Sequence, residues 1–582
     1  MKKICGILCV ILFFLLPVKL GGLAVMPESG GFFPEFFIDW LFITWHPHSL
    51  AYFSCALLLL TLIAYGAELT GKMRIFVLLW GIVPSLAVIP GILRGDNILA
   101  LGEISLLSAC GALIAAAGII LQNKPHYAGI FAGSVVAGGV MTAFYGWYQH
   151  LVVLDEIRRF AAEQEAMGIP VSEAMQLKLT DPRIFSTLAS SNILASFMLM
   201  LLVISFYLSG KWSERFTPPR QAKYIFRIFF AGLFLSVLFL TRSRSALFCP
   251  VAAGLLALFS HPKIKLRWKI SGIAAGIIIV IAGLFYAVHH GRGIASMGER
   301  VDYWHSCAVL CKEYPLTGAG WGGFFRTHMQ IKLSDVDESA RDPHNIVAAF
   351  ASQCGIPAGL LMLTVLLYPL IILWKHRFSP DLRGAVFWCG TIFTLHSLID
   401  CDWQIPAMIS IMGVLYCCVM TEGNEATEES SRRSRMVNYA AAAILISAGF
   451  VSSYYYLAGD HALSRLQDKL NPPTPEIRAK LAIYTVEDLA KQAEKFRPDQ
   501  AVIPMILGDW YLRLEALDQA EPHFIKALET DPVRPAAYAR LARIAMLRGE
   551  REKAERFLAR AHKLFPKNPD YLPENFFADF QK

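Results

Sequence analysis

Five short stretches of the sequence carry the polar residues that could do chemistry. RIFSTLASSN holds Arg183 and Asn192, and TRSRSA holds Arg242 and Arg244. ERVDYW holds Arg300 and Trp304 and runs on to the glycine-rich PLTGAGWGGF, with Gly318, Gly320, Gly322 and Gly323. RDPHN holds Arg341, His344 and Asn345, and HSLIDCDWQIP holds His396, Asp400, Asp402 and Gln404. A guanidinium is always charged and offers a planar fork of donors that suits phosphate oxygens. A His can take a proton from a hydroxyl near neutral pH. Arginines converging on a pyrophosphate would stabilise it as a leaving group in place of a metal, while the His activates an attacking hydroxyl.

Each residue also has an ordinary reading. Arg at the end of a membrane span anchors in the headgroups, and Arg242, two residues from Arg244, suits that role best. His344 stands where a helix start would place a cap, and Asp400 or Asp402 could cap the following helix. The glycines could make only a tight turn. No Lys-Ser/Thr or strand context makes them a P-loop or dinucleotide fingerprint. Asp335, Asp337 and Glu338 read as a solvated acidic patch. The twelve Cys are scattered, with no CxxC pair, and read as packing residues. Neither a resident metal nor a cofactor is expected.

The elements that must position these residues are apolar. The chain is 582 residues long, 55% hydrophobic and only 17% charged, with mean hydropathy +0.45. A soluble domain carries about 25% charged residues. Thirteen spans are expected, near 4–20, 49–69, 73–93, 98–121, 126–149, 185–208, 223–241, 245–260, 269–289, 345–373, 384–400, 404–420 and 437–457. Met1-Lys2-Lys3 followed by Ile4–Leu16, without an A-x-A site after it, reads as an uncleaved first helix. With it starting inside, the strongly basic short loops (Lys72 and Arg74, Lys124, Lys211 to Arg227, Lys263 to Lys269, Lys375 to Arg383, Arg432 to Arg435) all fall on the cytoplasmic side. The net charge of +8 therefore argues for membrane orientation, not for nucleic acid. The five polar stretches then sit at the outer face, with His396 about one turn deeper. The outside also receives a loop 150–184 with an amphipathic stretch Asp155–Met167, and a large loop 290–343.

This reading divides the chain into a membrane domain over 1–420, with its motifs in 180–410, a cytoplasmic linker 421–436, a last transmembrane helix 437–457 and an outer soluble domain over 458–582. In that soluble domain a 34-residue period relates Ala493, Ala527 and Ala561, and likewise Pro498, Pro532 and Pro566. Leu507 matches Leu541, and Ala520 matches Ala554. Small residues and a closing Pro at that period resemble tetratricopeptide repeats. Two full repeats and a partial one need capping or docking to be stable.

Together the five stretches resemble the O-antigen ligase and O-antigen polymerase superfamily of bacterial membrane glycosyltransferases, over about 180–410. RIFSTLASSN is similar to its R-x-x-G-T-F-x-x-x-N segment, with Ser186 for Gly and Leu188 for the aromatic residue. TRSRSA is similar to T-x-S-R-G-A, with Ser245 for Gly, and aligns Arg244 with the family Arg. ERVDYWHSCAVLCKEYPLTGAGWGGF resembles the R-x-x-x-W…P-L-x-G-x-G-x-x-x-F loop. HNIVAAFASQCGIPAGL resembles H-N-x-x-L…E-x-G-x-x-G, with Ala348 for Leu and Gln353 for Glu, and HSLIDCDWQIP resembles H-x-x-x-D…P. The resemblance implies an all-α, GT-C-like polytopic bundle followed by the soluble helical repeats. It implies an undecaprenyl-pyrophosphate-linked glycan donor and inversion at the anomeric carbon, without metal or nucleotide sugar. Arg183, Arg244 and Arg300 would hold the pyrophosphate, and His344 would be the base or position the acceptor. Asn192, Arg242, Trp304, Gly318, Gly320, Arg341, Asn345 and Asp400 would complete the substrate site. Because Gln353 replaces a carboxylate that could orient His344, Asp400 is the substitute to consider.

The acceptor is left open: lipid A–core for a ligase, a Ser/Thr side chain for a protein O-oligosaccharyltransferase, or another lipid-linked repeat for a polymerase. Outer repeats suggest a protein contact as well. A transporter would instead place ionisable residues mid-membrane in two related halves. Glu68 and Glu103 lie near or inside spans without an evident partner, and no internal repeat relates the spans. The expected location is the bacterial inner membrane, with the active face and the repeats in the periplasm.

Overall fold

Backbone in lipid must satisfy its own N–H and C=O groups, so apolar runs of bilayer length fold as helices. The computed structural model describes residues 1–22, 44–94, 97–166, 182–188, 190–214, 216–243, 245–289, 294–332, 340–420, 432–472, 475–498, 500–566 and 568–578. Arg244 and the acidic Asp335, Asp337 and Glu338 lie outside them. Among the described residues there are helices and no strand.

The helices before the repeats run α1 (Lys2–Lys19), α2 (Leu50–Tyr65), α3 (Gly71–Ile92), α4 (Asn97–Asn123), α5 (Tyr127–Tyr148), α6 (Leu154–Ala166), α7 (Ser191–Ser213), α8 (Pro219–Thr241), α9 (Ser245–Ser260) and α10 (Leu266–His289). They continue with α11 (Ile294–Glu313), α12 (Gly323–Ile331), α13 (Ile346–Cys354), α14 (Ile356–Leu373), α15 (Leu382–Ser397), α16 (Pro406–Met420) and α17 (Arg432–Leu470). Among the described residues eight helices are long and apolar enough to cross a membrane, with Phe248–Ser260 and Pro406–Met420 as shorter apolar helices. The protein is multi-pass. The thirteen spans expected are not established by these helices, because some of the runs form shorter helices, such as the 16-residue α15. Helix α4 is the buried centre and packs against α2, α16 and α17.

Two features differ from the sequence reading. The expected loop 290–343 contains two helices, α11 and α12. The expected single span 345–373 is broken at Gly355 into α13 and α14. Gly355 has φ +97°, and a Cβ there would stand 2.2 Å from the Leu316 carbonyl oxygen. Only a residue without Cβ lets the glycine-rich turn press against the break.

Helix α17 is continuous over 39 residues, roughly 58 Å of helix, whereas a crossing needs about 20 residues. Its C-terminal turns join the repeat helices: Ala462, Leu463 and Leu466 pack with Val486, Leu489, Ala493 and Ile503. The repeats run α18 (Pro475–Leu481), α19 (Val486–Phe496), α20 (Val502–Arg513), α21 (Leu517–Thr530), α22 (Pro535–Leu547), α23 (Arg551–Leu564) and α24 (Pro573–Ala578). Ala493, Ala527 and Ala561 are all fully buried, as are Ala520 and Ala554. The 34-residue period is therefore a period of helix contacts, where a larger side chain would hold the helices apart. A second apolar cluster, Met329 with Val533 and Leu564, docks the repeats on α12.

Gly355→Ala should lower the thermal midpoint in detergent, with backbone strain alone costing about 1–3 kcal/mol. Gly254→Ala, inside α9 with nothing within 4 Å of the added Cβ, should not lower it and should raise it slightly, since Ala favours the helix. Equal midpoints for both variants and the parent would contradict the account of the helix break.

Candidate functional site

Asp400 follows the end of α15, and its side chain is only 2% exposed. Its Oδ2 accepts from Asn192 Nδ2 at 2.8 Å, near the start of α7. Its Oδ1 accepts from the Cys401 N–H at 2.8 Å and lies 3.4 Å from His344 Nδ1. Arg300 Nη2 on α11 is 3.7 Å from Oδ2, and Arg300 Nε donates to the Ile399 carbonyl at 3.1 Å. The Asp400 N–H donates to His396 O at 2.8 Å, and His396 Nδ1 pairs with Asp402 Oδ1 at 2.7 Å with both side chains fully buried. One carboxylate thus gathers a histidine, an arginine and an asparagine from three separate segments of the chain.

His344 is held in a backbone conformation that most residues avoid. Its φ is +53°, and such a conformation persists only where its surroundings fix it. Its N–H donates to Asp342 Oδ1 at 2.7 Å, and its ring stacks on Tyr303 with centroids 5.8 Å apart. Asn345 caps α13, accepting from the Ala348 N–H at 3.0 Å, while its Nδ2 donates to the Leu398 carbonyl at 2.9 Å. Asp342 in turn accepts from Gln404 Nε2 at 3.1 Å. With Nδ1 donating to Asp400, Nε2 keeps its lone pair and can accept a proton. His344, Asp342, Gln353, Gln404 and Glu103 border a cavity of about 360 Å³.

The other expected residues divide by position. Asn192 Oδ1 accepts from Ser243 Oγ at 2.8 Å, which brings the segment carrying Arg242 to the site. Arg242 ends α8 with φ +47° and its side chain is exposed. Arg183 is exposed one residue before Ile184, and Phe185 and Ser186 donate their N–H groups to Gln149 Oε1 at 2.9 and 2.8 Å. Gln149 opens a π turn between α5 and α6. Ser186 has φ +53°, which is why a glycine suits that position in the resembling segment. Arg341 is exposed and borders the cavity. Trp304 is 40% exposed on α11, whereas its neighbour Tyr303 is buried against His344. Gly318 and Gly320 pack backbone on backbone: the Gly320 N–H donates to the Gln353 carbonyl at 3.0 Å, and a Cβ on Gly318 would lie 2.2 Å from the Gln353 carbonyl carbon. They brace α13. Gln353 is braced too, accepting from the Gly322 N–H at 2.9 Å. Arg244 lies outside the described residues.

Sequence reasoning passed over Tyr303, Asp342, Ser243 and Gln149. Asp342 was legible as the neighbour of the Pro343-His344 pair. Gln149 had no signal, because only the π turn aims it at the Arg183 segment.

Burial alone would pull the His344 imidazole down. The hydrogen bond and charge of Asp400, followed by the charge of Asp342, outweigh it and hold His344 above the ordinary value of 6.5. Burial pushes the Asp342 carboxyl up to about 6. His344 is therefore charged over a wider pH range than a free imidazole and becomes a base only above it. Among the described residues one group has donor atoms close enough to share a metal ion: His344, Asp400 and Cys401, within 4.8 Å of one another. The Arg300 guanidinium competes with a cation for the same carboxylate.

Known families match the chain at this constellation and again in the repeats. Residues 228–363 match the O-antigen ligase family model. The ligase-family segment holds Arg242, Arg300, His344 and Asn345, while Asn192 and Asp400 reach the site from outside it. Residues 511–572 match a tetratricopeptide-repeat model, within the region that has the buried alanine period. No curated protein matches the chain. The protein thus joins a segment that matches the O-antigen ligase family to a C-terminal segment that matches tetratricopeptide repeats, and the first match supports a membrane glycan ligase- or polymerase-like function.

Replacing Asp400 by Asn removes the charge that raises His344. Modification of His344 by diethyl pyrocarbonate, which needs the neutral imidazole, should then begin at lower pH than in the parent. An unchanged pH profile, read by mass spectrometry of the His344 peptide, would remove Asp400 as its electrostatic partner.

Proposed function

We propose that the protein moves a glycan from undecaprenyl pyrophosphate to an acceptor hydroxyl on the periplasmic face of the bacterial inner membrane. The observation that carries this reading is the Asp400 carboxylate shared by His344, Arg300 and Asn192 next to a ligase-family segment. The division of labour that we infer has 1–420 as the membrane transferase, 421–436 as a cytoplasmic linker, a last crossing within 437–457, and 458–582 as periplasmic repeats.

The chemistry follows from the groups present. The acceptor hydroxyl gives its proton to His344 Nε2 as its oxygen bonds to the anomeric carbon. The bond from that carbon to the phosphate oxygen breaks on the opposite face, so the configuration inverts. The electron pair leaves with undecaprenyl pyrophosphate, whose charge Arg300, with Arg244 and Arg183, offsets. His344 then returns the proton to water. Asp400 holds the imidazole in the tautomer that the transfer needs and stabilises the imidazolium that forms. No metal takes part in this scheme.

Purified protein given the lipid-linked glycan and candidate acceptors should release undecaprenyl pyrophosphate only when an acceptor is present. His344→Ala and Arg244→Ala, checked for folding, should each lower that release by about a hundredfold or more. Release that persists undiminished in both would refute the site. The acceptor that works separates a ligase from a protein O-oligosaccharyltransferase or a polymerase. Movement of donor across the membrane without release would indicate a transporter instead.

Dialysis against a chelator should leave the transfer rate unchanged. Activity lost on chelation and restored by a divalent cation would assign the His344–Asp400–Cys401 group to a metal.

A further inference from the structure

The cavity beside His344 has walls from both the membrane helices and the repeats. On the membrane side lie Glu103 from α4, only 4% exposed, together with Asp342 and His344. On the other side lie Gln500, Asp531 and Arg534 from the repeats. The repeats are seated there by the Met329, Val533 and Leu564 cluster and by Lys332 Nζ, 4.5 Å from the centre of the Phe565 ring. Asp531 and Arg534 face each other at 3.2 Å, yet Asp531 Oδ1 is buried without a hydrogen-bond partner. A buried carboxylate oxygen left so is costly unless a ligand supplies a donor.

We propose that this repeat-walled cavity is the acceptor subsite and that it takes the hydroxyl-rich end of a saccharide. The proposal rests on the transfer reading above and adds the class of acceptor. Three arguments carry it. First, neither Arg300 nor Asp400 borders the cavity, whereas His344 does. The imidazole therefore stands between the arginine side, where a pyrophosphate would be held, and the cavity, where a hydroxyl would wait. Second, the walls mix carboxylates (Glu103, Asp342, Asp531) with guanidinia (Arg326, Arg341, Arg534). Carboxyl groups interleaved with the guanidinia leave the walls without the concentrated positive charge that a pyrophosphate needs. The mixture suits hydroxyls, each of which both donates and accepts. Third, Trp321 and Phe325 supply apolar surface for the face of a sugar ring, and about 360 Å³ lies within the ~300–1,000 Å³ range of small-ligand sites. A peptide bound by the repeats would call for an extended groove.

The test uses the full-length protein in detergent and, as probe, labelled oligosaccharide freed by mild acid from the envelope polysaccharide of the producing cell. Equilibrium dialysis without any donor measures its binding to the parent, Asp531→Asn and Arg534→Gln. Saturable binding that weakens about tenfold or more in both variants, at unchanged melting temperature, is expected. Parent that binds no saccharide at millimolar probe, variants that bind as well as the parent, or a Ser/Thr-rich peptide that binds the cavity in its place would each overturn the proposal. Because no donor is present, a protein that binds saccharide yet never releases undecaprenyl pyrophosphate would refute the transfer reading and leave the subsite standing. In the transfer assay the same two variants should raise KM for the acceptor and leave KM for the donor lipid in place.

Discussion

Asp400 is a carboxylate that water hardly reaches, and it needs compensation from the protein. Leaving such a charge unpaired costs about 3–5 kcal/mol. Its partners come from α7, from α11 and from the turn before α13, so satisfying one charge fixes three distant segments relative to α15. The pair beneath it, His396 with Asp402, is completely buried and adds Ser196 Oγ at 3.4 Å from Asp402. This polar column is anchored to the helix ends, where it meets the loops that carry the site, and the surrounding helix centres are apolar.

Strained backbone accompanies that column. Ser186, Arg242 and His344 all have φ near +50°, and each belongs to a stretch with polar site candidates. Such conformations cost about 1–3 kcal/mol each, and here the Ser186 and His344 N–H groups donate to Gln149 and Asp342, which hold two of them. Substituting Gln353 for a carboxylate fits this arrangement. Its amide oxygen serves the Gly322 N–H in the brace of the glycine turn, so a charge there would have no imidazole to orient. The carboxylate contact to His344 comes from Asp400, at the end of another helix.

The long α17 ties the repeats to this site. It enters the bundle against α4 and then becomes the first packing surface of the repeats. Near the junction, Asp460 pairs with Arg497 from the repeats and with His46 from the loop before α2, the latter at 2.5 Å. A short repeat array exposes an apolar end unless something covers it. Here α17 covers one side, and α12 meets Val533 and Leu564 on another.

The sequence by itself determined the helical, multi-pass character, because apolar length and sparse charge leave no other way to satisfy backbone in lipid. It also determined the repeat, because Ala493, Ala527 and Ala561 keep one period, and it marked the stretches with Arg300, His344, Asn192 and Asp400. Their segments are local, and residue type and spacing are visible in one dimension. The tertiary structure alone decided the rest. It broke the 345–373 run at Gly355, where a backbone contact from the glycine turn leaves no room for Cβ. It showed Gly318 and Gly320 to be braces, aimed Gln149 through a π turn, and set Asp531 and Arg534 across a cavity from His344. Those relations depend on contacts between residues far apart in the chain, and no periodicity or local motif encodes which surfaces will meet once the helices pack.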